Sequence, residues 1–320
     1  MLSKATLDHL SRQLGPLRYL ETVQSLWSGY GEIARIALLD PAHHLIVKSV
    51  TPPTQVQHPR GWNNPTGHQR KLRSYQVELA FYQHYARRCD EDCPVASVRY
   101  VGQGPEGDLL VMADLDQQGY GLRTLNPTAA QIRAGLVWLA EFHGTFFADT
   151  GSKLWPQGNY WHLATRPDEY QAMSDGPLKQ AAQALNAALQ ACPYQTLLHG
   201  DAKVANLCFG ADDAVAAVDF QYVGPGPGCT DVMYFLSSCL DGADLAQQAQ
   251  GWETVYFKQL SAALARRHPQ VDGDAVVQAW QTLMPIAWAD FARFLAGWSP
   301  SHPKCHDYLA AQTARALSML

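Results

Sequence analysis

The chain has 320 residues, of which 47% are hydrophobic and 17% charged, and its formal net charge is −5. That balance belongs to a folded globular protein, and it argues against nucleic acid or an anionic membrane as the main partner, since both call for a basic face. No stretch reaches the roughly 18 apolar residues of a membrane span, and Met1 to Leu10 mixes charge and polarity where a secretory signal would be apolar. Seven cysteines are scattered, with one C-x3-C at Cys89 and Cys93 and no second pair at zinc-like spacing. Buried thiols in a reducing cytoplasm are therefore expected.

In chain order, Thr6 to Leu14 suits a short amphipathic helix. Glu21 to Trp27, Ile33 to Leu39 and Leu45 to Val50 read as strands, punctuated by Ser28-Gly29-Tyr30-Gly31 and by Asp40-Pro41. In the third strand Leu45 and Val47 share one face, and Ile46, Lys48 and Val50 share the other, so Lys48 projects from an otherwise apolar strand. Residues 51–73 are rich in Pro, Gly, Asn, Gln and His and predict an exposed loop. A helix from about Ser74, its N-cap, to Arg88 follows, carrying Val77, Phe81 and Glu78. Ser97 to Gly102 and Asp108 to Met112 are two further strands.

After Met112 the character changes. Asn126-Pro127 is a helix start, and Ile132, Leu136, Leu139, His143 and Phe146 recur at steps of three and four. Helices dominate to Leu320, interrupted by short strands and tight loops from Thr196 to Tyr222. The pattern predicts an α+β protein with a β-rich N-terminal lobe over 1–115 and a helical C-terminal lobe over 116–320.

The interruption carries the chemistry. His199-Gly200-Asp201-Ala202-Lys203-Val204-Ala205-Asn206 precedes Val218-Asp219-Phe220-Gln221, and the segments between them, Leu207 to Phe209 and Ala214 to Val218, flank a polar tip at residues 210–213. A hairpin of that length returns Asp219 to the neighbourhood of Asp201 and Asn206. Two carboxylates and an amide oxygen are hard ligands suited to Mg²⁺. Phosphoryl transfer needs a metal against the nucleotide phosphates and a carboxylate to orient the attacking hydroxyl. Asn206 and Asp219 are the metal candidates, Asp201 the candidate acceptor of the hydroxyl proton, and Lys203 is placed to reach the transferring phosphate.

The D-x-K-x-x-N spacing followed by Asp-Phe resembles the protein-kinase catalytic and metal-binding loops. His-Gly-Asp at 199–201 is more similar to the small-molecule branch, the aminoglycoside phosphotransferase and choline kinase superfamily. Val218-Asp219-Phe220-Gln221 and residues 228–236 resemble its ecdysteroid-kinase-like group. The resemblance spans roughly Leu26 to Trp298. It implies a two-lobed protein-kinase-like fold that binds ATP and Mg²⁺ and phosphorylates a small-molecule hydroxyl acceptor in the cytoplasm. It also implies that Lys48 contacts the α- and β-phosphates and that Glu78 is its ion-pair partner. Gly29, Tyr30 and Gly31 then fall at the phosphate-covering turn, and the backbone of Met112, Asp114 and Leu115 faces the adenine edge. Asp231 would accept hydrogen bonds from the backbone around His199 and Gly200, and His199 would brace Asp201.

Gln221 in place of glycine, the missing Ala-Pro-Glu and the short segment between Asp219 and Asp231 disfavour a protein kinase. The alternative is a nucleotide-binding pseudokinase acting as an interaction module, against which every identified catalytic position holds a competent residue. For the acceptor, Trp161, Trp288 and Asp290 are the candidates, with Trp155, Tyr160, His162, Arg166 and Trp298 nearby. An aromatic cage with a carboxylate would suit a cation. An amino alcohol, an aminoglycoside, a sugar and a steroid-like alcohol all remain open.

Overall fold

The computed structural model describes residues 1–26, 29–52 and 65–320. Helix α1 (Lys4–Leu14) is capped by Ser3, whose Oγ accepts the Thr6 N–H. Strands β1 (Leu17–Ser25), β2 (Gly31–Leu39) and β3 (Ala42–Val50) form an antiparallel meander. Helix α2 (Pro65–His84) crosses to β4 (Val98–Gln103) and β5 (Asp108–Ala113), which complete a five-stranded antiparallel sheet of order β1-β2-β3-β5-β4.

The period of two along β3 divides the sheet between two cores. Leu45 and Val47 join Ala34, Ile36, Leu109 and Val111 beneath Leu2 and Leu10 of the N-terminal segment. On the opposite face Ile46, Leu110 and Met112 pack with Val77 and Phe81 of α2 into the main core, which continues through the helical half.

Two expectations about α2 need correction. The helix begins at Pro65, not near Ser74, so residues 65–73 are helical rather than loop. The remainder of the expected loop, 53–64, lies outside the described residues, as do Trp27 and Ser28. Ser74 is a buried mid-helix residue whose hydroxyl bonds the Lys71 carbonyl and the Gln221 side chain. The polar composition of 65–73 reads as loop, but it is the composition of a helical stretch that faces a polar cleft.

The helical half starts with α3 (Ala129–Thr145), one residue beyond a Thr128–Gln131 capping box rather than at Pro127. Short helices α4 (Pro167–Ala172), α5 (Pro177–Gln180) and α6 (Ala182–Gln190) lead to β6 (Thr196–Leu198). Strands β7 (Leu207–Phe209) and β8 (Val215–Ala217) form the expected hairpin, and β9 (Gly224–Gly226) pairs back onto β6. Helices α7 (Cys229–Cys239), α8 (Gly242–Arg267), α9 (Gly273–Trp298) and α10 (Asp307–Leu317) enclose this centre. Among the described residues no helix is long and apolar enough to cross a membrane. All seven cysteines are free; Cys93, Cys192, Cys208 and Cys229 are buried as expected, whereas Cys305 is exposed.

Phe81 is the keystone between α2 and the helical half. Its ring stacks on Phe220 at a centroid distance of 4.0 Å and touches Phe142 and Phe146. Replacing it with alanine is expected to lower stability by about 3–5 kcal/mol, the usual range for emptying a phenylalanine site. Urea unfolding of Phe81→Ala against wild type measures this, and a loss below about 1 kcal/mol would contradict the keystone role.

Candidate active site

The chain leaves β6 at His199-Gly200-Asp201 and can make this turn only at glycine. Gly200 has φ +79°, and a Cβ would sit 2.0 Å from the Tyr222 carbonyl oxygen. Asp231, in the first turn of α7, clamps this turn: Oδ2 accepts the His199 N–H at 2.6 Å and Oδ1 the Gly200 N–H at 3.1 Å. His143 of α3 approaches Asp231 Oδ2 at 3.2 Å and is itself held by the Tyr256 hydroxyl at 2.7 Å. The His199 ring reaches the Val218 carbonyl through Nε2 at 3.0 Å and accepts the Asp201 N–H at Nδ1 at 3.3 Å. The ring is thereby fixed as the Nε2–H tautomer and steadies Asp201.

The β7–β8 hairpin brings its ends together: the Val218 N–H donates to the Asn206 carbonyl at 3.0 Å. Asp219 follows with φ +69°, a left-handed conformation that is uncommon for a non-glycine residue and costs on the order of 1–3 kcal/mol. Phe220 plugs into the main core against Phe81, His199 and Trp138, and this burial holds the Asp219 backbone in place. Across from it, Asp201 Oδ2 accepts Lys203 Nζ at 2.9 Å and Asn206 Nδ2 at 3.1 Å. Asn206 Nδ2 also donates to the Asp201 carbonyl at 2.8 Å, so its amide oxygen is the end left for another partner.

From the sheet side, Lys48 Nζ lies 2.6 Å from Glu78 Oε2 and 3.3 Å from Asp219 Oδ1. Lys48 and Glu78 are buried, whereas the Asp219 side chain is a third exposed toward the cleft. Burial works against the Lys48 charge, but Glu78 and Asp219 outweigh it and raise its pKa, so the ammonium stays protonated. Burial likewise opposes the Asp219 charge, yet Lys48, Lys71 and Lys203 together hold its pKa down at about 2. Asp201 moves the other way: burial raises its pKa, with Lys203 opposing and Asp219 reinforcing the rise. A carboxylate held firmly ionised thus stands beside one whose affinity for a proton is increased.

Two contributors escaped sequence reasoning. Gln221 donates Nε2 to Asp219 Oδ1 at 2.6 Å and accepts Lys71 Nζ at 3.0 Å and Ser74 Oγ at 3.1 Å. Lys71 is therefore a second cation at Asp219, with its pKa lowered by burial to about 8. Lys71, Ser74 and Glu78 fall at i, i+3 and i+7 of α2, one helical face. That periodicity was hidden because residues 51–73 read as loop.

The donor chemistry suits Mg²⁺. Asp219 is ionised and faces the cleft, and the Asn206 amide oxygen is a second hard ligand. Among the described residues there is no group of three or more His, Cys, Asp or Glu side chains that would make an all-protein cage. Mg²⁺ is commonly held this way, by one or two protein oxygens together with substrate phosphates.

The remaining expected positions fall as follows. Gly29 and Gly31 both have positive φ, and a Cβ on Gly31 would lie 1.9 Å from the Ser49 carbonyl oxygen. This close approach locks the turn onto the end of β3. Tyr30 between them is buried, its hydroxyl 2.5 Å from His68 Nδ1. Met112 ends in the main core, and buried Asp114 receives Arg35 Nε at 2.7 Å; Leu115 is buried as well.

The expected acceptor residues Asp290, Trp161 and Trp288 are all buried. Asp290 is buried with both oxygens engaged, Oδ2 by Trp161 Nε1 at 3.0 Å and Oδ1 by Arg293 Nε at 2.9 Å. Trp161 is fully buried, and Trp288 packs against Tyr308 of α10. These residues build the interior, because an ion pair in an apolar helix bundle must be closed on itself. Arg166 likewise pairs with Glu169 at 3.1 Å.

The sequence profile of the phosphotransferase enzyme family (APH) matches residues 34–269, and the chain belongs to that family. Its fold is the kinase-like one, with the β-sheet at the N-terminal end and helices at the C-terminal end. A thermostable mutant of aminoglycoside phosphotransferase APH(4)-Ia, solved as a ternary complex with AMP-PNP and hygromycin B, is similar over 98% of each chain at 12% identity and a TM-score of 0.50. A microcompartment-associated aminopropanol kinase is similar over 98% of this chain and 94% of its own, at 14% identity and a TM-score of 0.50. No curated protein matches the chain. The protein is thus a small-molecule phosphotransferase by family.

The clamp at Asp231 has a measurable consequence. Asp231→Ala leaves two buried N–H groups without acceptors, each costing about 1–3 kcal/mol. Thermal unfolding should therefore show a loss of at least about 2 kcal/mol; a variant as stable as wild type would mean that the clamp is dispensable.

Proposed function

We propose that the protein transfers the γ-phosphoryl group of ATP, with Mg²⁺, to a hydroxyl group of a small molecule. Residues 1–115 would form the nucleotide-binding lobe, and 116–320 would carry the catalytic loop and the acceptor site. The observation that carries this reading is the convergence of Lys48, Glu78, Asp201, Lys203, Asn206 and Asp219 on one cleft. The similar structures, a complex with AMP-PNP and hygromycin B and an aminopropanol kinase, agree with it. Seven free thiols suit a reducing, cytoplasmic setting.

In this mechanism Lys48 binds the α- and β-phosphates, kept charged and aimed by Glu78. Asp219 and the amide oxygen of Asn206 would hold the metal, which when bound would neutralise charge on the nucleotide phosphates. Asp201 accepts the hydrogen bond of the acceptor hydroxyl and takes its proton as the new P–O bond forms. The raised proton affinity of Asp201 suits that role. Lys203, already bonded to Asp201, stands within reach of the transferring phosphoryl group and offsets its negative charge.

Two substitutions separate the roles. Asp201→Asn should reduce transfer by at least about a thousandfold, near the upper end of the general-base range, while MgATP affinity changes less than about threefold. Asp219→Ala should weaken Mg-nucleotide binding by more than about tenfold, because the ionised ligand is gone. Calorimetry and coupled ADP release measure both. Transfer at the wild-type rate by Asp201→Asn, or unaltered Mg-nucleotide affinity in Asp219→Ala, would remove the corresponding role.

A further inference from the structure

Three carboxylates of the wall that Tyr160, Trp161 and Tyr234 form are each matched by a cation. Asp201 has Lys203 at 2.9 Å, Glu169 has Arg166 at 3.1 Å, and Asp290 has Arg293 at 2.9 Å. Lys304 is a cation of the same wall without such a match. It sits in the turn-rich link between α9 and α10, held by hydrogen bonds from the His302 N–H to Ser299 and from the Lys304 N–H to His302 Nδ1. Among the described residues Lys304 Nζ forms no ion pair; it donates to Ser237 Oγ at 3.1 Å. It also lies 4.8 Å from the Tyr234 ring centroid and 5.5 Å from that of Phe291.

The location bears on the reaction. Ser237 and Ser238 are adjacent in α7; the first receives Lys304, and the second accepts the Val204 N–H of the catalytic loop at 2.8 Å. Tyr234, one turn earlier on α7, lies against both Asp201 and Tyr160. The ammonium is therefore tied to the same turn of helix that positions the loop carrying Asp201. An ammonium has three donors, and one is committed. Aromatic faces attract a cation but do not neutralise it. Burial lowers the Lys304 pKa to about 8; Asp201 and Cys239 oppose the shift and Lys203 adds to it. An anion in this space would reverse that penalty.

We propose that Lys304 anchors an anionic group of the acceptor, so that the hydroxyl presented to Asp201 belongs to an acidic small molecule, a hydroxy acid or a phosphorylated polyol. The inference rests on the phosphotransfer reading and narrows its acceptor class. It replaces the cationic acceptor expected from Asp290, whose charge is already consumed by Arg293 and Trp161. With the Lys304 ammonium outside any ion pair among the described residues and the charges of Glu169 and Asp290 paired, an anionic acceptor group is favoured there over an amine.

The test uses four acceptors on one carbon skeleton: glycerate, glycerol 3-phosphate, glycerol and 3-amino-1,2-propanediol. ADP release is followed for wild type, Lys304→Met and Lys304→Arg. One or both acids should exceed the amine in kcat/KM by at least tenfold, with glycerate and glycerol 3-phosphate separating a carboxylate from a phosphate preference. Lys304→Met should lower the acid-to-amine ratio at least tenfold, chiefly through KM, and Lys304→Arg should keep most of it. Because the readout is a ratio within one variant, partial loss of folded protein does not imitate the effect. Preference for glycerol or the amine, or an unchanged ratio in Lys304→Met, overturns the anchor and leaves phosphotransfer standing. Transfer to none of the four would count against the phosphotransfer reading. Calorimetric titration of the two acids into the protein saturated with magnesium and ADP then decides the anchor separately. Binding weakened tenfold by Lys304→Met supports it, and absent or unaltered binding overturns it.

Discussion

A buried ammonium has to be neutralised where it lies, and the cleft of this protein is organised around one. Lys48 leaves the middle of β3 on the face turned toward α2, where water cannot solvate it. Glu78 from α2 and Asp219 from the segment after β8 supply the compensating charge. The contact therefore joins three parts of the chain that are distant in sequence: the sheet, the crossing helix and the catalytic hairpin. None of the three can shift far without leaving a desolvated charge unpaired, and a charge in that state is among the most costly features a folded protein can contain.

The packing beneath the charges gives them their precision. Phe220, next in chain to Asp219, is stacked on Phe81 and abuts His199, so the left-handed turn at Asp219 is held by apolar burial rather than by its own preference. Asp231 performs the equivalent service for Gly200, reaching from α7 to the two N–H groups of the turn. The site thus combines strained backbone with well-satisfied polar partners. That combination keeps Asp201 and Asp219 close together although like charges repel. Lys48, Lys71 and Lys203 outweigh burial at Asp219 and hold it ionised, whereas at Asp201 burial prevails over Lys203 and raises the proton affinity.

The wall beside Asp201 follows another rule. Asp290 and Arg293, and Glu169 and Arg166, are buried ion pairs within the helical half. Aromatic side chains fill the space between them: Trp161 and Phe291 are buried, and Tyr160 and Tyr234 meet edge to face. Against that closed background Lys304 donates to Ser237 and, among the described residues, forms no ion pair.

The loop from His199 to Asn206, the hairpin and the projection of Lys48 from β3 were legible in the residues, and the pairing of Lys48 with Glu78 followed from the resemblance those residues carry. Their spacing is local, or it follows from a strand alternation that any reader of the chain can count. The sheet strands and the change to helices after Met112 were legible for the same reason, because hydrophobic periodicity records which face is buried. The start of α2 was not, since the polar residues 65–73 look like a loop until their neighbours across the cleft are known, and with them went Lys71 and the role of Gln221. Nor could the chain show that Asp290 is engaged by Arg293 and Trp161 while Lys304, among the described residues, forms no ion pair. An aspartate or a lysine looks the same in sequence whether it is paired or alone. Its partner lies on another element, and only the packing of those elements sets which charges meet and which remain for a ligand.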